Sequence, residues 1–183
     1  MKGATLAAAL LATAAVAAAP DAPRVSRAAL AAIEKNFDAR IERDIIDNPF
    51  LLLGTTRGVY LPGYGAVFTA ELNLITLPAF TPFHPHFTKE ELAKIRAKKL
   101  ERLPRLKRLM QETLVGAAAS LDTVPPNERI AVGVSLFYHR SWEDTTGLPS
   151  QVIMEAQKQS LLDYQAQRIT GAALEAALRV QEL

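Results

Sequence analysis

Apolar and polar residues alternate along residues 66–74, directly after a Pro-Gly-Tyr-Gly turn at 62–65. The even positions are all apolar, and Thr69, Glu71 and Asn73 fall on the other face. This period of two is typical of a half-buried β-strand. Proline presets φ for the first corner of a turn, and Gly63 accepts the positive φ of the second. We therefore predict a hairpin whose first strand covers about 57–61.

A second alternating run extends from Ile130 to Tyr138 and predicts another strand. Residues 151–157 follow a polar connection and are interpreted as the other arm of a second hairpin. The pattern leaves an alternative open, because residues 151–169 also fit a helix. The apolar run 50–53 fits either a short strand or a buried connection.

Helical spacing predicts three helices. Ser26 is a candidate N-cap for the first, whose apolar stripe consists of Leu30, Ile33, Phe37 and Ile41. The second begins at the T-K-E-E capping box of residues 88–91 and runs to the prolines at 125–126. Pro104 interrupts it, so the helix either kinks or divides there. A C-terminal helix is predicted over about 172–180.

This order of elements predicts an α+β fold. We expect one domain over 26–183, with a mainly antiparallel sheet built from two hairpins and helices packed chiefly on one face. The N-terminal helix precedes the first hairpin, the long Pro-interrupted helix lies between the hairpins, and the C-terminal helix closes the chain. The order is similar to that of roadblock and profilin-like domains, which carries no catalytic implication.

The first 19 residues have the pattern of a signal peptide. Lys2 is followed by an unbroken run of small and apolar residues that ends at Pro20. The run is shorter than the roughly 20 residues of a membrane-spanning helix, and cleavage is expected after Ala18 or Ala19. Retention as an uncleaved anchor is the alternative. Residues 20–25 hold two prolines and are interpreted as a flexible leader.

The 183 residues include no cysteine and carry a formal net charge of +2. Disulfides, thiolate metal sites and cysteine nucleophiles are therefore excluded. Exported proteins without disulfides are more typical of the bacterial periplasm than of small eukaryotic secreted domains. We expect an exported protein, either periplasmic or secreted.

Candidate chemistry is sparse. His84 and His86 could share a metal only if His139 or a carboxylate joined them, and exposed loop histidines are the simpler interpretation. No serine lies in a G-x-S-x-G or S-x-x-K motif, and the glycines at 63 and 65 precede a strand, unlike a phosphate-binding loop. The sequence therefore assigns no catalytic, cofactor-binding or metal residue and no cofactor.

The stretch Y-L-P-G-Y-G-A-V-F at 60–68 resembles one in uncharacterised bacterial proteins of similar size that bear signal peptides. The resemblance covers the hairpin. It implies export and a shared fold, and it implies no activity.

Residues 94–108 hold eight basic residues against the single acid Glu101. A basic helix can attract anionic lipid or an acidic protein face, although an apolar stripe favours a solvated outer face as the explanation. The candidate anion or partner patch consists of Lys94, Lys98, Lys99, Arg102, Arg105, Lys107 and Arg108.

Without a catalytic motif, we expect a non-enzymatic periplasmic module that binds or helps assemble a protein partner in the cell envelope. One alternative is a small hydrolase with a dispersed site of histidine and carboxylates, in which His139 is the best candidate base. Another is a binder of anionic membrane surfaces through residues 94–108. Nucleic acid is not an expected partner, because no aromatic residues interleave the basic run.

Overall fold

The computed structural model describes residues 25–44, 49–77, 87–139 and 141–183. Within these ranges the chain forms four helices and six strands, which confirms the α+β fold. In chain order they are α1 (Arg27–Arg43), β1 (Leu51–Leu52), β2 (Arg57–Leu61), β3 (Gly65–Asn73), α2 (Lys89–Ser120), β4 (Arg129–Leu136), β5 (Gln151–Gln157), α3 (Lys158–Gln165), α4 (Gly171–Ala177) and β6 (Arg179–Glu182).

The strands form a mixed sheet in the order β1-β3-β4-β5-β6, and β2 pairs with β3 along the same edge as β1. Both predicted hairpins are present as antiparallel pairs, β2 with β3 and β4 with β5. The central pair β3–β4 is parallel. A parallel pair needs a long crossover connection, and α2 supplies it. The carboxyl ends of β3 and β4 therefore lie at the same end of the sheet.

The helix starts follow the sequence signals. The Ser26 hydroxyl accepts a hydrogen bond from the Ala29 N–H, and both bonds of the Thr88–Glu91 capping box are formed. The long helix α2 continues through Pro104 without dividing. Because Pro104 is exposed, water can bond the carbonyl group that its missing N–H leaves free.

One hydrophobic core lies between the sheet and the helices. The even positions of β3 are buried in it as predicted, and all four described helices contribute side chains, among them Phe37, Leu106, Leu161 and Leu174. The opposite face of the sheet contributes none to this cluster. No helix of the described residues packs on that face, and in this sense we call it the uncovered face. It is formed by Val59, Leu61, Val67, Thr69, Glu71, Arg129, Ala131, Gly133, Ser135, Ile153, Glu155 and Arg179. Asn73 was expected on it but is buried, with Oδ1 accepting from the Ile75 N–H.

The structure resolves several open alternatives. Residues 151–169 are a strand followed by a helix, and the run 50–53 contains the short strand β1. The C-terminal helix ends at Ala177, three residues before its predicted end, and the unpredicted strand β6 follows it. The signal peptide, His84 and His86 lie outside the described residues. No described helix is both long and apolar enough to cross a membrane.

Candidate functional site

Lys99 and Glu143 form a buried ion pair near the carboxyl end of β4. The Lys99 Nζ lies 2.6 Å from Glu143 Oε2, and the two side chains are 1% and 2% exposed. The ammonium group also lies 4.7 Å from the ring centroid of Tyr138, whose hydroxyl donates to the Pro149 carbonyl. Two charges removed from water require such close contacts. The pair therefore fixes the 137–150 connection against α2.

Burial dominates the protonation equilibria around this pair. It lowers the pKa of Lys99, although the hydrogen bond and charge of Glu143 act in the opposite direction. Burial, and then the charge of Glu143, raises the pKa of Tyr138. The tyrosine hydroxyl therefore remains a neutral donor at physiological pH.

A cavity of about 610 Å³ lies beside the pair. Its lining residues come from β3, β4 and the connection that follows β4: Glu71, Leu136, Phe137, Tyr138, Glu143, Thr145, Leu148 and Ser150. Glu143 Oε1 is buried and meets no hydrogen-bond partner among the described residues, whereas Glu71 is exposed. Ligands of open α/β sheets commonly bind outside the carboxyl ends of parallel strands, which is the position of this cavity.

Small residues line the middle of the uncovered face. A Cβ atom added to Gly133 would meet only Thr69 Cγ2 among the described atoms, at 3.9 Å. Ala131 is the neighbouring residue of β4 on this face, and Val59 and Leu61 are large apolar side chains exposed at the β2 edge. The face is therefore apolar along one edge, and the small residues Ala131 and Gly133 at its centre are themselves buried.

A charged cluster lies on the same face around Glu155, which is almost fully buried. The Tyr64 hydroxyl donates to Glu155 Oε2, and Nη1 atoms of Arg129 and Arg179 each lie 3.4 Å from Oε1. Partial burial and this hydrogen bond raise the pKa of Tyr64. The arginine side chains remain 40% and 64% exposed, respectively. The charge that this cluster presents to solvent is therefore basic.

The structure does not place the seven candidate residues of the basic helix on one surface. Lys99 is buried in its ion pair, and Arg102 is buried with Nη1 donating to the Leu74 carbonyl at 2.9 Å and its guanidinium over the Phe50 ring. The prediction of a solvated outer face is wrong for these two residues. Their long apolar stems extend the core-facing stripe of α2, and their polar heads find buried partners.

The other five basic residues divide into two groups. Arg105 pairs with Asp44, and Lys107 pairs with Glu182. Lys94, Lys98 and Arg108 are exposed. Anion binding by this helix stays a prediction, and it rests on the last three residues. Its test is charge reversal at those three positions, since reversing Lys99 or Arg102 would disrupt the core.

His139 is surrounded by aromatic rings. It stacks on Trp142 at 4.8 Å between centroids and makes an edge contact with Phe137 at 5.0 Å. The described lining of the cavity includes Glu143 and Ser150 but not His139. The part of the chain that the structure describes holds no group of three His, Asp or Glu side chains placed for a metal ion. The described residues thus place His139 outside the lining of this cavity, and the hydrolase alternative stays a prediction.

Sequence reasoning missed Glu143 and Glu155 as interaction centres. Glu155 is flanked by the core residues Met154 and Ala156, so its position on the opposite face of β5 could have been derived from alternation. Glu143 lies in an irregular connection with no periodic signal. Its contact with Lys99 depends on how the connection packs against α2.

These features define a two-layer α+β domain with one uncovered sheet face and a polar cavity at the end of its parallel strands. Comparison of the chain with protein-family models, with curated proteins and with solved structures finds no match.

Proposed function

We propose that this chain is an exported, non-enzymatic module of a bacterial cell envelope that binds a protein partner through the uncovered face. The observation that carries the proposal is the one-sided packing of the sheet, since all four described helices share a single core on the other face. An exposed apolar edge beside a strip of small residues allows another protein backbone to approach closely. The partner would cover Val59, Leu61 and the strip around Gly133.

Charge complementarity indicates the chemistry of that partner. Arg129 and Arg179 are solvent-exposed at one end of the face, and the exposed Arg57 lies at the β2 edge. The carboxylate of Glu155, which pairs with Arg129 and Arg179, is buried beneath them. A partner segment with acidic residues opposite these arginines would be steered and oriented by them.

The test is site-specific photo-crosslinking in the bacterial envelope. A photo-reactive phenylalanine at position 59 should give a discrete adduct, and Gly133→Trp should abolish it by filling the strip. The matched control is Gly116→Trp on α2, because a Cβ atom at Gly116 meets no described atom within 4 Å and one at Gly133 meets only Thr69 Cγ2, at an ordinary contact distance of 3.9 Å. An adduct that survives Gly133→Trp unchanged would show that the partner does not use this face.

Export is proposed from the N-terminal sequence and is tested separately. N-terminal sequencing of the protein from a periplasmic fraction should begin at Ala19 or Pro20. An intact Met1 in the cytoplasmic or membrane fraction would contradict cleavage and export.

A further inference from the structure

We propose that the partner which covers the uncovered face is a second copy of this chain, packed face to face across a twofold axis. The inference rests on the proposed function, since it names the partner for the surface around Gly133. In such a dimer the two sheets lie against each other, and the helices of each copy form the outer layers. Each sheet then has a layer packed on both of its faces.

The first argument is that this face carries charges of both signs. At one end, the guanidinium groups of Arg129 and Arg179 share a single carboxylate, because both Nη1 atoms lie 3.4 Å from Glu155 Oε1. One carboxylate compensates only one of the two arginines, so a further acidic group beside them is favoured. At the other end, Glu71 is exposed and forms no ion pair with a described residue. A second copy therefore offers the acid that this face lacks beside Arg129.

The second argument is the position of these two charges on the parallel strands β3 and β4. Glu71 lies opposite Ser135, which is six residues after Arg129 on β4. The two charges are therefore about 20 Å apart along the strands. A twofold axis that crosses the strands midway between them places Glu71 of each copy over Arg129 of the other. The midpoint lies between Ala131 and Gly133, so no large side chain of β4 stands at the axis.

The third argument is the angle at which the two sheets cross. Glu71 and Arg129 lie on neighbouring strands, so the line that joins them is displaced by one strand spacing, about 4.8 Å, over about 20 Å. The line is tilted from the strands, and the exchange of both pairs sets the sheets at twice the tilt, about 27°. For the right-handed crossover that is usual between parallel strands, this rotation has the same sense as the −30° or so of aligned sheet packing. The two ion pairs and ordinary sheet packing therefore favour the same arrangement.

The size of the face predicts a weak dimer. Strands β2 to β6 span about 24 Å, and the rows from Arg129 to Ser135 span about 20 Å, which gives about 500 Å² per copy. A total of about 1,000 Å² lies at the lower limit of specific interfaces. We therefore expect a dissociation constant in the micromolar range and dissociation on dilution.

The experiment is sedimentation-velocity ultracentrifugation of the purified mature chain at low salt, from about 1 to about 300 µM. The wild type should change from monomer to dimer over this range. Glu71→Arg should weaken the dimer about tenfold or more, since two cations then face each other at both contacts. Because Glu71 is exposed, this variant should fold normally, and Glu101→Arg on the exposed surface of α2 is the control with the same change of charge.

A mixture of two variants tests the contact itself. Arg129→Glu alone should also weaken the dimer, because two acids then face each other. An equimolar mixture of Glu71→Arg with Arg129→Glu should restore dimers, because each mixed pair joins opposite charges at both contacts. A defect in the folding of either variant does not produce this recovery.

The crosslink from position 59 separates this proposal from the proposed function, since Val59 is level with Ala131 and therefore lies near the axis. An adduct of twice the chain mass that Gly133→Trp abolishes would support both. An adduct with a different protein would overturn the dimer and leave the proposed function standing, whereas an adduct that survives Gly133→Trp would remove the proposed function. The dimer is also overturned if the wild type stays monomeric throughout, if Glu71→Arg dimerises like the wild type, or if the mixture of folded variants forms no dimer.

Discussion

Replacing Lys99 with methionine should destabilise the protein strongly, although Lys99 belongs to a run of basic residues that resembles a solvated helix face. Methionine keeps the apolar stem and removes the ammonium group. Glu143, with its side chain 2% exposed, then loses the only donor that contacts it among the described residues. Removing one partner of a buried ion pair typically costs about 3–5 kcal/mol.

Urea unfolding at pH 7 measures this cost. Lys99→Met should lose about 3–5 kcal/mol relative to the wild type. Lys98→Met is the control and should stay within about 0.5 kcal/mol of the wild type, because Lys98 is exposed. The double variant Lys99→Met, Glu143→Leu should recover most of the loss, since neither charge is left buried. A loss below about 1 kcal/mol at pH 7 would refute the buried-pair argument.

Three further predictions follow from the fold. Gly65→Ala should lower the stability in thermal unfolding clearly more than Gly63→Ala. Both glycines have a positive φ, but only at Gly65 would an added Cβ atom clash with backbone, at 1.8 Å from the Arg129 carbonyl oxygen. Equal losses of stability would contradict this placement of the turn. Lys158→Met should cost about 2–4 kcal/mol in urea unfolding, because the buried Lys158 ammonium donates to the carbonyl groups of Leu121, the C-cap of α2, and of Val124 just beyond it, and methionine can make neither bond. A cost below about 0.5 kcal/mol would contradict the role of a cap. Burial alone would raise the pKa of Glu34, but hydrogen bonds from Arg27 and from the Gly58 N–H lower the pKa below its ordinary value of 4.5. The stability that Glu34 contributes is therefore fully present above pH 4.5, and it is lost as the pH falls through the pKa of the folded state. The stability difference between wild type and Glu34→Gln should therefore shrink between pH 6 and pH 3, and a constant difference would contradict it.

Local sequence patterns predicted the elements whose conformation is set by residues close to one another in the sequence. Alternation identified the core-facing side chains of β3, and the T-K-E-E sequence fixed the start of α2. The positive φ of Gly63 is also as predicted. The edge strand β6 was missed because its four residues, R-V-Q-E, include a single apolar side chain, Val180, and none of the four is buried. Polar composition is common in edge strands, where it discourages pairing with other chains.

The candidate site depended on contacts between distant residues, which a single sequence does not specify. Lys99 lies four residues after Ile95 and four before Leu103, so its position on the apolar stripe was visible in the sequence. Charge alone assigned it to the solvent side, and that assignment was wrong because its partner Glu143 is 44 residues away. The informative feature was a conflict at Lys99: its charge favours solvent, whereas its position on the apolar stripe favours burial.

The buried pair also links the connection after β4 to the crossover helix. The parallel junction of the two hairpins brings the carboxyl ends of β3 and β4 together, and the connection that follows β4 contacts α2 through Glu143 and Lys99. If stability alone governed this position, a nonpolar pair of similar volume would serve as well or better. The ion pair instead favours one arrangement of the connection, because only in that arrangement does each buried charge meet its partner.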